Sequence, residues 1–124
     1  MAFENLDVWK RSARLSADLY RELKGLRDYG FRDQITRAGL SVPSNIAEGF
    51  ERESAKDCIN FLSYAKGSCG ELRAQVMVGK EIGYIPSDVA DRWIAQSIEI
   101  GAMLRGLINR KRREILEPRL KGQE

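Results

Sequence analysis

The residues best placed to do chemistry lie in the segment SVPSNIAEG, residues 41–49. Asn45 and Glu48 are three residues apart and would share one face of a helix, with Ser44 beside them. A serine nucleophile needs a neighbouring base, and a carboxylate in acid–base catalysis needs a partner. The chain has no histidine, and no lysine lies near this segment. We therefore predict no catalytic residue and no enzymatic activity; the alternative is an enzyme that uses Glu48 with Arg37.

The absence of histidine also limits the metal sites that the chain can build, because histidine is the commonest protein ligand for zinc and for di-iron centres. The two cysteines, Cys58 and Cys69, are eleven residues apart. If one helix carries both, they lie on one face about 16 Å apart along its axis. A disulfide needs Cα atoms within about 7 Å. We predict no metal, no cofactor and no disulfide.

Four helical segments must position these residues, because apolar side chains recur at spacings of three and four in each of them. The segments run from about Leu6 to Lys24, from Phe31 to Arg52, from just after Ser54 to Gly83, and from Ser87 to Pro118. Asn5 and Ser54 are the expected N-caps of the first and third. No stretch alternates with the period of a strand. The prediction is an all-α, antiparallel up-down four-helix bundle over residues 1–118, followed by a flexible C-terminal tail, 119–124.

Pro43 stands inside the second segment and admits two interpretations. In the first, the helix continues and is kinked at Pro43, with Gly39 leaving room where the helix opens. In the second, a new helix begins here with Asn45 as its cap and Glu48 reaching back. The apolar pattern on both sides of Pro43 shows no clean interruption, so we predict the kink.

The composition predicts a protein outside the membrane that assembles with itself. The longest uncharged stretch is residues 38–47, far shorter than the roughly 20 apolar residues of a membrane span. The opening residues, MAFENLDVWK, do not resemble a secretory signal, which predicts a cytoplasmic location. The apolar faces of the first and fourth segments are wider than the bundle core needs, which indicates a second buried surface and hence an oligomer.

Several long runs of the sequence resemble a known family. The run QITRAGLSVPSNIAEGFERES is followed by FLSYAKGSCGELRAQ and GYI, and the chain opens with FENLDVWKRSARLSADLY. Together these runs extend from Phe3 to about Leu107 and resemble the bacterial four-helix-bundle family of 23S rRNA intervening-sequence proteins. The accessory variability protein of diversity-generating retroelements is a related branch.

The resemblance implies an antiparallel bundle that assembles as a ring-like homopentamer. In the related branch, a basic surface binds nucleic acid and a reverse transcriptase. The resemblance brings no catalytic residue. The structural motif of the family falls here on Arg37, Ser41, Pro43, Asn45, Glu48, Gly49, Arg52, Gly67, Ser68 and Glu71.

The positive charge of the chain is concentrated near its end. The net charge is +3, but residues 105–121 alone carry +5. Consecutive positions 110–113 would spread around a helix, whereas Arg105 and Arg112 would share one side with Arg119. The candidate nucleic-acid-binding residues are Arg105, Arg110, Lys111, Arg112 and Arg113. The alternative is a solvated basic helix end that complements the helix macrodipole.

Two functions follow from these observations. The first is a non-enzymatic homopentamer that binds RNA or DNA through its basic surface, mainly at the backbone because the basic segment lacks aromatic residues. The second is a scaffold without nucleic-acid binding, whose partner is a reverse transcriptase or another protein.

Overall fold

Four α-helices and one short 3-10 helix form the fold in the computed structural model, which describes residues 2–122 and their side chains as far as residue 117. The 3-10 helix, η1, spans Phe3–Asn5, and the α-helices are α1 Asp7–Glu22, α2 Tyr29–Glu51, α3 Ala55–Glu81 and α4 Ser87–Gly122. No strand occurs between residues 2 and 122. The predicted all-α class with four helices is confirmed. The up-down connectivity stays a prediction.

The helix starts follow local capping chemistry, which the sequence predicts only in part. Ser54 caps α3, because its side chain accepts a hydrogen bond of 3.0 Å from the backbone N–H of Asp57. The predicted cap Asn5 is wrong: it belongs to η1, and the residue before α1 makes no side-chain cap. In α2, which starts at Tyr29 and so earlier than predicted, the cap is Asp28, whose side chain accepts from the backbone N–H of Phe31 at 3.1 Å.

The fourth helix is longer than the sequence predicts. It continues through Pro118 to Gly122, although a proline inside a helix removes a backbone donor and crowds the carbonyl four residues earlier. The predicted end at Pro118 is therefore wrong. Of the predicted tail, residues 119–122 belong to α4, and residues 123–124 lie outside the described residues, so flexibility of the tail stays a prediction.

The second helix passes through Pro43 without a break. The alternative of a new helix starting at Asn45 is therefore wrong, whereas the kink itself stays a prediction. Gly39 serves the packing of α2 against α1, because a Cβ at this position would collide with Cδ1 of Leu19. Pro43 and Gly39 are both buried.

All four α-helices contribute to one core, whose largest fully buried side chain is Trp93 of α4. Helix α3 packs extensively against both α2 and α4, whereas the seam between α1 and α4 is the sparsest contact between α-helices. Cys58 and Cys69 both lie in α3 and are buried free thiols. The Cys69 thiol donates to the carbonyl of Ser97 at 3.1 Å, and burial raises the pKa of Cys69.

Residues 2–122 provide neither a membrane span nor a cluster of acidic and thiol metal ligands. No helix in this range combines the length and hydropathy needed to cross a membrane. The same residues contain no group of three or more histidine, cysteine, aspartate or glutamate side chains placed to hold a metal ion.

Candidate nucleic-acid interface

A cleft of about 360 Å³ between α3 and α4 brings three basic side chains together. Lys66 comes from α3, and Arg105 and Arg112 come from α4. The two arginines are seven residues apart, which is close to two helical turns and places them on the same side of α4. The lining residues are Ser63, Lys66, Gly67, Arg105, Ile108, Asn109 and Arg112.

Among the side chains of residues 2–117, none forms an ion pair with the basic groups of this cleft. No carboxylate is among its lining residues. Between residues 2 and 117, the ion pairs of the structure involve other basic residues and leave out Lys66, Arg105 and Arg112. Ser63 and Asn109 add neutral hydrogen-bonding groups. A concave surface lined by one sign of charge concentrates the field and attracts anions such as phosphate.

The other predicted basic residues lie elsewhere on α4. Arg110 lines a groove at the seam with the start of α1. The Lys111 ammonium is 3.4 Å from Oε2 of Glu114 and 5.3 Å from the ring centroid of Phe50, so it is held by the bundle. Arg113 is exposed and lines none of these clefts. Of the five predicted residues, only Arg105 and Arg112 line the α3–α4 cleft. Nucleic-acid binding by Arg110, Lys111 and Arg113 stays a prediction.

A hydrogen-bonded group from the SVPSNIAEG segment joins α2 to α3. The hydroxyls of Ser41 and Ser68 are 2.8 Å apart, and either one can donate. The Asn45 amide donates to the carbonyl and to the hydroxyl of Ser41, at 2.8 and 2.9 Å. Asn45 therefore acts on α3 through Ser41. The group fixes α3 beside α2 and so helps to orient the α3 side of the cleft.

The end of α2 packs closely on α3 through two further motif residues. A Cβ on Gly49 would lie 3.2 Å from Cβ of Phe61 and 3.3 Å from the Cys58 carbonyl oxygen, so a side chain here would press on the α3 backbone. The Arg52 guanidinium pairs with Glu48 at 2.7 Å and lies 4.8 Å from the Phe61 ring centroid.

The remaining motif residues play separate roles. Glu71 accepts a hydrogen bond of 3.3 Å from the Gln75 amide, and Arg37 is exposed. The candidate catalytic residues do not converge: Ser44 lines a depression between α1 and α2, whereas Asn45 bonds to Ser41 and Glu48 pairs with an arginine.

Most of the chain matches the model of one protein family. Residues 4–106 match the family model described as 23S rRNA-intervening sequence protein. The chain belongs to this family. The matched range of this intervening-sequence protein includes four residues of the cleft: Ser63, Lys66, Gly67 and Arg105. The cleft residue Arg112 lies beyond that range.

A solved structure supports the same fold. It is the crystal structure of a protein with unknown function from the S23 ribosomal protein family of Bacteroides thetaiotaomicron, and it is 25% identical to this intervening-sequence protein, with a TM-score of 0.77. The match covers 82% of this chain and 97% of the other. A comparison with curated proteins found no match.

Lys66 is the cleft residue that sequence reasoning missed. A single lysine on α3 carries no charge cluster of its own, and the basic residues that it joins in the cleft, Arg105 and Arg112, are 39 and 46 residues away in the sequence. Its position directly before the motif residues Gly67 and Ser68 is the one signal available. Only the facing of α3 and α4 brings Lys66 to Arg105 and Arg112.

Proposed function

We propose that this protein is a non-enzymatic homo-oligomer that binds the phosphate backbone of nucleic acid in the α3–α4 cleft. The proposal rests on one observation: Lys66, Arg105 and Arg112 line the cleft without a carboxylate. Each basic group that meets a phosphate releases condensed counterions, which makes binding favourable and dependent on salt. Contacts to phosphates position a nucleic acid without reading its bases, so the binding should depend weakly on sequence.

The α1–α2 face supports self-association. A depression of about 280 Å³ on this face is lined by no charged side chain. Leu40 is 48% exposed at its edge, and Trp9 is half-buried within it. A second copy of the chain would cover this apolar surface, and the family resemblance implies a pentameric ring. Five copies of the cleft on one ring would also strengthen binding to a long nucleic acid through effective concentration.

The test of the cleft compares two variants with the same change of charge. Arg105→Glu/Arg112→Glu removes positive charge from the cleft, and the control Arg110→Glu/Arg113→Glu removes it from other faces of α4. Because only the first pair lines the cleft, we expect it to weaken binding by about tenfold or more. The control should retain most of the affinity. Mobility-shift titrations of RNA and DNA at two salt concentrations measure both.

Two outcomes would count against the proposal. Equal losses in the two variants would mean that overall charge, and not the cleft, determines binding. A wild-type protein that binds neither RNA nor DNA at low salt would remove nucleic-acid binding altogether. The salt slope is a further check, because each lost phosphate contact should lower its magnitude by about 0.7 for a single strand.

Self-association is tested at the α1–α2 face. Light scattering after size exclusion should give about five times the 14.1 kDa mass of one chain. Leu40→Asp places an unpaired charge where the second copy would bury it, so we expect the mass to fall toward that of one chain. The control Ile82→Asp changes a side chain that is 52% exposed on another face and should keep the wild-type mass. If Ile82→Asp dissociates the oligomer and Leu40→Asp does not, the interface between subunits lies away from the α1–α2 face.

The α1–α4 seam favours a second candidate, a scaffold that binds a protein partner such as a reverse transcriptase. A groove of about 350 Å³ at this seam is lined largely by apolar side chains, among them Leu6, Val8, Met103 and Leu107. Such grooves accept the apolar face of a partner helix. In that case, the Arg105→Glu/Arg112→Glu variant should still capture the partner protein in a pull-down. The wild type should bind no nucleic acid.

A further inference from the structure

Tyr64 is an exposed aromatic residue beside the cationic cleft. It follows the cleft residue Ser63 in the sequence of α3, does not itself line the cleft, and is 60% exposed. Its ring makes an edge contact with Phe61, with centroids 5.8 Å apart and planes at 89°. One edge contact leaves a face of the Tyr64 ring open to solvent. The Arg52 guanidinium lies 4.8 Å from the centroid of the Phe61 ring, and this contact helps to hold in place the ring against which Tyr64 packs.

Only short side chains lie on the surface of α3 between the cleft and Tyr64. On the helix, Ser63 and Gly67 lie between the side that carries Lys66 and the side that carries Tyr64. Gly67 is exposed, and nothing lies within 4 Å of the position that its Cβ would take. No long side chain therefore separates the two sides at this point. Gly67 therefore leaves open the surface of α3 between the cleft and the Tyr64 ring.

We propose that the ligand of the α3–α4 cleft is single-stranded nucleic acid, with one base stacked on Tyr64. This inference rests on the proposed binding of phosphates by Lys66, Arg105 and Arg112. The bases of a duplex are paired and stacked internally and cannot be offered to a side chain on the protein surface. In a single strand each base has a free face, and its stacking on an aromatic ring is tolerant of sequence. The exposed ring therefore selects a single strand over a duplex.

The first test compares a single strand with a duplex of the same length and sequence by fluorescence anisotropy. Tyr64→Ala removes the stacking ring, so we expect binding of the single strand to weaken by about tenfold and binding of the duplex to stay within about twofold. Tyr64→Phe keeps the ring and should bind both as the wild type does. The matched control is Tyr29→Ala, because Tyr29 is 61% exposed and lines none of the cleft.

A second test uses an oligonucleotide in which the bases are replaced by abasic sites. This ligand keeps its phosphates and loses its stacking faces. The wild type should therefore bind it about tenfold more weakly than the intact strand, whereas Tyr64→Ala should bind the two alike. Both tests are run with RNA and with DNA of one sequence, and the tighter of the two wild-type complexes identifies the chemical source of the ligand.

Three results would overturn this inference while the cleft proposal stands. In the first, Tyr64→Ala weakens the binding of the single strand and of the duplex equally. In the second, removal of the bases weakens binding to Tyr64→Ala as much as it weakens binding to the wild type. In the third, Tyr64→Ala has a different assembly mass from the wild type. The last would make Tyr64 a contact between subunits. If instead the wild type binds no nucleic acid, or if Arg105→Glu/Arg112→Glu has no effect, the proposed function itself fails.

Discussion

Replacing Trp93 by alanine is expected to lower the free energy of unfolding by about 3–5 kcal/mol. Trp93 is 1% exposed and is the largest of the fully buried side chains. Its removal from α4 leaves a cavity where the helices converge, and the surrounding side chains can relax only in part. Domains of this size are stable by about 5–15 kcal/mol in total, so the loss is a large share of the whole. Urea titrations followed by circular dichroism measure it.

Two further variants define the origin of this effect. Trp93→Phe keeps an aromatic ring in the core and should cost clearly less than alanine. Ile98→Ala removes a side chain that is 53% exposed on the same helix, and it should stay within about 0.5 kcal/mol of the wild type. All proteins are compared at one chain concentration, because assembly adds to the apparent stability. Similar losses at Trp93 and Ile98 would contradict the assignment of Trp93 to a packed core.

The second large effect is expected at Gly39, where leucine should destabilise the fold by about 3 kcal/mol, at the upper end for overpacking. The added Cβ would collide with Cδ1 of Leu19, and because Leu19 is fully buried, its side chain must shift within the core to admit the rest of the leucine. Helix propensity alone predicts the opposite sign, because leucine favours a helix over glycine by about 0.5–1 kcal/mol. The sign of the measured change therefore separates packing from propensity.

Gly70 provides the matched control for this substitution. It is also helical, but nothing lies within 4 Å of the position that its Cβ would take. Gly70→Leu should therefore follow propensity and leave the protein as stable as the wild type or slightly more stable. Thermal melts of both variants give the comparison. A Gly39→Leu protein that melts at or above the wild-type temperature would show that the Leu19 side chain or the spacing of α1 and α2 adjusts at that point without cost.

The helices themselves could be predicted from the sequence because their signals are local. Apolar spacing and the serine cap at Ser54 act within a few residues, and the structure has the corresponding helices. The end of α4 and the start of α2 were predicted less well. Asp28, before α2, and Asn5, before α1, are both plausible caps by type, but only Asp28 stands where its side chain meets a free backbone N–H.

The cleft could be predicted only in part, since it depends on which helix faces meet. The spacing of Arg105 and Arg112 places them on one side of α4, and this much was available from the sequence. The addition of Lys66 requires knowing that α3 covers that side. Likewise, the tight packing at Gly39 depends on Leu19, a residue of another helix. A sequence pattern describes one helix at a time and does not report such pairs.

The sparse seam between α1 and α4 has a consequence for the order in which the fold opens. Within a single chain, α1 is attached mainly to α2, whereas α3 is held from both sides. Local unfolding follows the weakest boundary of a domain, and the cooperative units often coincide with pairs of elements. Detachment of α1 is therefore the least costly partial opening of this bundle. It would expose the α1-facing side of α2 while the α3–α4 pair, with its cationic cleft, remains folded.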